Sequence, residues 1–147
     1  MRDDPDFLAW QEGHREDPAD RASWWTGWHD AVAEAVGRGV LVRRLRVVCE
    51  PLSDYIRYEW EGTFANVAAG EEVRWLPRSR GHGLLLPVLE GWVMDEQTVI
   101  LHHFGGDGQS VQPDMEVIED PLMARQYASA CDTAWQRAIP HAEYRPS

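Results

Sequence analysis

The stretch from Val40 to Pro77 leaves the chain little freedom. Val40–Cys49 is dense in β-branched and aliphatic residues and predicts a strand, which Pro51 interrupts. Ser53 is placed to cap a helix running to about Ala69, with Ile56, Trp60, Thr63, Phe64 and Val67 as its apolar stripe and Gly70 as its stop. Glu71–Leu76 predicts a second strand, ended by Pro77. Alternation along the first strand puts Leu41, Leu45 and Val47 on one face and Val42, Arg44, Arg46 and Val48 on the other.

On either side of this segment the punctuation is also legible. Asp17-Pro18-Ala19-Asp20 predicts a helix start, and Trp25, Trp28, Val32, Ala35 and Val36 continue it as a stripe ended by Gly37 and Gly39. Met1 to Asp6 reads as frayed, with Phe7, Leu8 and Trp10 docking an otherwise loose arm over residues 1–16. After a glycine-bearing loop, Gly91–Asp95, Thr98–Phe104 and Ser110–Ile118 predict three antiparallel strands joined by Asp95-Glu96-Gln97 and Gly105-Gly106-Asp107-Gly108. Asp120-Pro121 starts a helix through Met123, Tyr127, Cys131, Ala134 and Trp135, closed by Pro140. The expected fold is α+β: one layered domain over residues 17–147, with a mixed or antiparallel sheet of about five strands packed by three main helices.

Composition narrows the chemistry. All 14 basic residues are arginine, which excludes Schiff-base lysines and P-loop phosphate binding. The net charge is −11, yet residues 40–80 hold seven arginines against six acids, while residues 81–147 hold three against ten. An acidic body repels a phosphate backbone, so direct nucleic-acid binding is not expected. No apolar run approaches a membrane span, the acidic first residues do not read as a signal peptide, and a cytoplasmic location is expected. Cys49 and Cys131 have no metal spacing and read as reduced, buried thiols.

The richest polar constellation is Arg44, Arg46, Glu50, Asp54, Tyr55, Arg57, Glu59, Asn66 and Arg74. Guanidinium groups grip carboxylates and phosphates in two-pronged geometry, so these residues suit a recognition surface for an anionic small molecule or a protein partner. They equally suit an internal lattice, with Asp54–Arg57 and Arg57–Glu61 at helical pairing distances. Adjacent His102 and His103 face opposite sides of a strand, so with His82 and Cys49 they make no metal site. The glycine-rich 105–108 loop reads as a hairpin turn, and Glu71-Glu72 and Asp95-Glu96 as solvated acids. No nucleophile elbow surrounds Ser53, Ser79 or Cys49, so no catalytic residue is assigned, nor any cofactor. Trp25, Trp28, Trp60 and Trp135 fit core stripes, while Trp10 and Trp24 lie off them and stand partly exposed.

Arg43-Arg44-Leu45-Arg46-Val47-Val48-Cys49-Glu50-Pro51-Leu52-Ser53-Asp54-Tyr55-Ile56-Arg57-Tyr58-Glu59 and Asn66–Arg78, with the closing Asp120-Pro121, Trp135, Ala138-Ile139-Pro140 and Glu143-Tyr144, resemble an uncharacterised actinobacterial domain-of-unknown-function family. The resemblance runs from about Trp24 to Tyr144. It implies a companion of helix-turn-helix regulators or of other small regulatory proteins, with no established reaction. A fainter architectural likeness, through Arg38-Gly39-Val40 into an arginine-bearing strand, is similar to phospholipase D-related effector modules. Those modules need a His-x-Lys pair that this lysine-free chain lacks, and His102-His103-Phe104 cannot replace it, so the likeness implies sensing or partner binding. Two function classes follow: a non-catalytic regulatory protein that binds a partner, or an anion sensor or cryptic enzyme using the arginine-rich segment. A homodimer is a further option.

Overall fold

The computed structural model describes residues 3–147; Met1 and Arg2, expected to fray, lie outside the described residues. The class is α+β, as the sequence implies, but the described strands divide between two sheets of three rather than joining in one sheet of about five. The chain forms two compact units: one from the residues through Arg80 together with Ala138–Ser147, the other from Gly81–Arg137. None of the described helices is long and apolar enough to cross a membrane.

In the first unit, β1 (Arg43–Val48) and β2 (Glu72–Pro77) pair in parallel from Arg43 opposite Glu72 to Val48 opposite Pro77. Parallel neighbours need a crossover, supplied by the helix Asp54–Ala69. Its start and stop are those expected: Ser53 Oγ accepts from the Ile56 amide at 3.3 Å, and Gly70 ends it at φ 109°. A Cβ at Gly70 would also sit 3.0 Å from a Val36 methyl, so the position is closed to other residues twice over. Ile139–Pro140 adds a short antiparallel strand on the open edge of β2, opposite Trp75 and Arg74. The sequence pattern does not reveal that strand, because it is two residues long and ends on the proline read as a helix stop. Val48, Leu52, Val73, Trp75 and Tyr144 form the core here, with Ile56, Trp60 and Ile139 packed on it. Trp75 and Tyr144 stack with ring centroids 5.5 Å apart.

The amino-terminal part is less regular than its punctuation promises. Pro5–Gln11 is a helix, α1, whose Phe7 is buried against Tyr55 and Tyr58 at 5.1 and 5.6 Å. The single helix expected from Asp17 is broken: Asp17 caps only a turn, accepting from the Ala19 amide at 2.9 Å. Short α2 (Arg21–Trp24) follows, then extended Trp25 and Thr26, and α3 (Gly27–Gly37). Trp-Thr-Gly is a run of weak helix formers, and the Thr26 amide donates to His29 Nδ1 at 2.9 Å, which starts a new helix there. The Asp54–Ala69 helix is α4.

The second unit is a meander of β3 (Gly91–Met94), β4 (Thr98–Phe104) and β5 (Ser110–Ile118), with α5 (Pro121–Trp135) against one face. Ile139–Pro140 is thus β6. Asp95 and Glu96 both adopt left-handed backbone, at φ 51° and 54°, as a tight right-twisted hairpin requires. Asp120 accepts from the Leu122 and Met123 amides at 3.0 and 3.2 Å, the cap its sequence announces. Val99, Leu101 and Ala124 are buried, with Val93, Ile118, Met123 and Tyr127 around them.

Candidate functional site

The arginine-bearing strand carries its polar groups toward α4. Arg44, Arg46 and Val48 share the face of Val73 and Trp75, whereas Arg74, opposite Leu45, occupies the other face. The structure therefore divides the nine sequence candidates into separate groups.

The tightest group centres on Glu71. Arg44 donates to it twice, Nε to Oε2 at 2.7 Å and Nη2 to Oε1 at 3.0 Å. Trp28 Nε1 and Asn66 Nδ2 add donors to Oε1 at 3.0 and 3.3 Å. The Glu71 side chain is wholly buried, with a relative exposure of 0%. Burial alone would raise its pKa, but the donors and the Arg44 charge hold the carboxyl below its ordinary value. Solvation does not explain this acid, contrary to the sequence reading, and Trp28, expected in the core, is 45% exposed while its indole N–H serves Glu71. The one local signal for Glu71 is an acid between a helix-stopping glycine and a strand beside an arginine strand; only the parallel register makes it meaningful.

A second group lies along α4. Arg46 Nη2 pairs with Glu59 Oε2 at 2.6 Å, and its guanidinium stands 5.6 Å from the Trp75 ring centre. Tyr55 is half-buried; burial first, and the neighbouring Glu59 second, hold its phenol above the ordinary range. Beside it, burial and the charges of Asp4 and Asp6 push Tyr58 up to about 12. Arg46 Nε and Trp60 Nε1 are buried N–H groups with no acceptor.

Glu50 and Arg57 belong to the carboxy-terminal side of the unit. Tyr144 donates to Glu50 Oε1 at 2.7 Å, and burial and that carboxylate raise its pKa against the opposing charge of Arg57. Asp54 is an exposed acid in the first turn of α4, where it complements the helix dipole. Neither Asp54–Arg57 nor Arg57–Glu61 is among the ion pairs of the described residues: Glu61 instead takes Arg15 Nε at 2.8 Å and Trp10 Nε1 at 2.7 Å, which ties α1 to α4.

The remaining sequence candidates separate. His103 pairs with Glu116 at 3.0 Å, and among the described residues no group of three or more His, Cys, Asp or Glu side chains is placed to hold a metal ion. Cys49 is exposed and Cys131 half-buried, and neither forms a disulfide, so Cys49 departs from the buried thiol expected. The 105–108 loop is a hairpin turn, with the Gly105 amide donating to the Gln109 carbonyl at 2.8 Å. In the Gly81–Arg137 unit, a groove of about 300 Å³ is lined by Gly83, Leu84, Leu85, Ser129, Ala130 and Thr133, none of them a sequence candidate. Chemically, Arg44 and Arg46 are occupied by internal carboxylates, and the ring-rich environment of Arg46 is the part of the cluster that retains unmatched donors.

No curated protein and no solved structure matches the chain. A family model does, over residues 1–146, so the chain belongs to the family described as a domain of unknown function, DUF6879.

Proposed function

We propose that the chain is a non-catalytic regulatory protein that binds a protein partner, the companion of a DNA-binding transcriptional regulator. The supporting observation is where the chain leaves apolar surface open. Met94, Met115 and Val117 on the meander are 47%, 54% and 63% exposed, whereas Arg44 and Arg46 are already committed to Glu71 and Glu59. Exposed methionines and aliphatic groups on a regular sheet suit contact with another protein. The choice of a helix-turn-helix regulator follows the resemblance carried by Arg43–Glu59 and Asn66–Arg78. Co-expression with the regulator encoded beside the gene, followed by size-exclusion chromatography, tests the reading. Co-elution at fixed stoichiometry supports it, and separate elution at micromolar concentrations overturns it.

A second reading, an anion sensor, has one observation in its favour: the buried Nε of Arg46 and Nε1 of Trp60 lack acceptors. A bound carboxylate or phosphate oxygen would satisfy them. Calorimetric titration with phosphate and with small dicarboxylates, on the native chain and on Arg46→Met, separates the readings. Heat that disappears in the variant favours the sensor.

A further inference from the structure

The meander sheet has two unlike faces. Strand register puts Val93, Val99, Leu101 and Ile118 toward α5, the helix packed on this sheet. The opposite face is a grid fixed by the same register: Trp92, Ile100 and Val117 form its middle row, Met94 and Thr98 one flank, His102 and Met115 the other. On this face Met94, Met115 and Val117 are exposed and Trp92, Thr98, Ile100 and His102 half-buried, whereas Val99 and Leu101 on the α5 side are buried. Strand β5 also carries Pro113, which has no amide to offer, so its open edge is a poor place for an added strand. On the β5 side it is the sheet face, not the edge, that presents exposed apolar side chains.

Charge selects the occupant. Residues 81–137 carry nine acidic side chains and two arginines, and Glu90, next to β3, is exposed beside the grid. A second copy would bring the same negative field to the same face, which disfavours self-pairing. A segment with arginines or lysines flanking an apolar stripe would match both the grid and its acidic surround. Methionine side chains adapt to such stripes without a fixed shape requirement.

We infer that the outer face of the β3–β4–β5 sheet, centred on Trp92, Ile100, Met115 and Val117, is the docking surface for a basic amphipathic helix of a partner protein. The inference rests on the partner-binding reading and gives it a location and a ligand chemistry.

The probe is a fluorescein-labelled, 18-residue amphipathic helix of leucine and arginine, read by anisotropy against the full chain. A peptide of the same composition with the stripe scrambled is the control for charge alone. Binding about tenfold tighter than the scrambled peptide, weakened about tenfold by Val117→Asp and unchanged by Leu122→Asp on the exposed start of α5, supports the inference. Equal affinity for the two peptides, or indifference to Val117→Asp, overturns it. Met115→Gln serves as the second variant should Val117→Asp not fold, and is read in the same way. A shift from dimer to monomer on Val117→Asp, measured by light scattering, also overturns it, because a second copy would then be the occupant. A regulator that co-elutes with Val117→Asp as well as with the native chain overturns the location and leaves the partner-binding reading standing. Stripe-specific peptide binding at Val117 in a chain that retains no regulator supports the location and counts against the regulator alone.

Discussion

Arg44 holds Glu71 by a two-pronged pair, 2.7 and 3.0 Å long, across the parallel β1–β2 ladder. Removing Arg44 leaves the wholly buried Glu71 carboxylate uncompensated, whereas removing Glu71 leaves an arginine whose side chain keeps 22% exposure. Arg44→Met alone should lower the unfolding free energy by about 3 kcal/mol in urea titrations. Arg44→Met combined with Glu71→Leu should cost less than the sum of the two single changes, because no bare charge remains.

His141 makes stability depend on pH. Its Nδ1 accepts from Trp75 Nε1 at 3.1 Å, and burial, aided by the Arg145 charge, lowers its pKa from 6.5. The unfolded chain therefore takes up the proton at higher pH than the folded one. The contribution is whole above pH 6.5 and is lost as pH falls through the lowered folded value. His141→Asn, which keeps an acceptor but cannot titrate, should flatten the fall in midpoint below pH 6.5 in denaturant titrations run at a series of pH values.

Phe7 fixes α1 to α4 by packing on Tyr55 and Tyr58. Phe7→Ala should destabilise the chain by about 3 kcal/mol and make α1 the first segment to exchange its amide hydrogens. An unchanged midpoint and unchanged protection of α1 would show that the helix contributes nothing to the fold.

Gly91 has no room for a side chain: a Cβ there would collide with the Ile100 carbonyl oxygen. Gly91→Ala must push β3 off β4, and should cost about 2 kcal/mol and lower the thermal midpoint, measured by circular dichroism.

Much of this architecture is written in short-range chemistry. Ser53, Gly70, Asp120 and the turns after Met94 and Phe104 act on neighbours a few residues away, so the borders of α4, α5 and the meander follow from the sequence. Longer-range choices do not. Nothing local tells Glu71 that Arg44, Trp28 and Asn66 will surround it, and an acid next to a turn reads as solvated until the β1–β2 register is known. Likewise Asp17-Pro18 is a sound helix start that loses to the Thr26–His29 contact nine and more residues on. For the arginine cluster, residue type and strand face were readable for Arg44 and Arg46; the separation of Arg74 onto the opposite face followed only from pairing it with Leu45.

The short strand at Ile139–Pro140 means that the first unit is assembled from both ends of the sequence, with the meander inserted between β2 and its last partner. During synthesis Trp75 emerges long before Tyr144, the ring it stacks on, and Glu50 waits still longer for that tyrosine's hydroxyl. A nascent chain halted at Arg137 would hold every residue of the meander while its older half still lacked an edge strand and part of its core. The final ten residues thus act as a keystone, and their arrival makes completion of the amino-terminal half a late event.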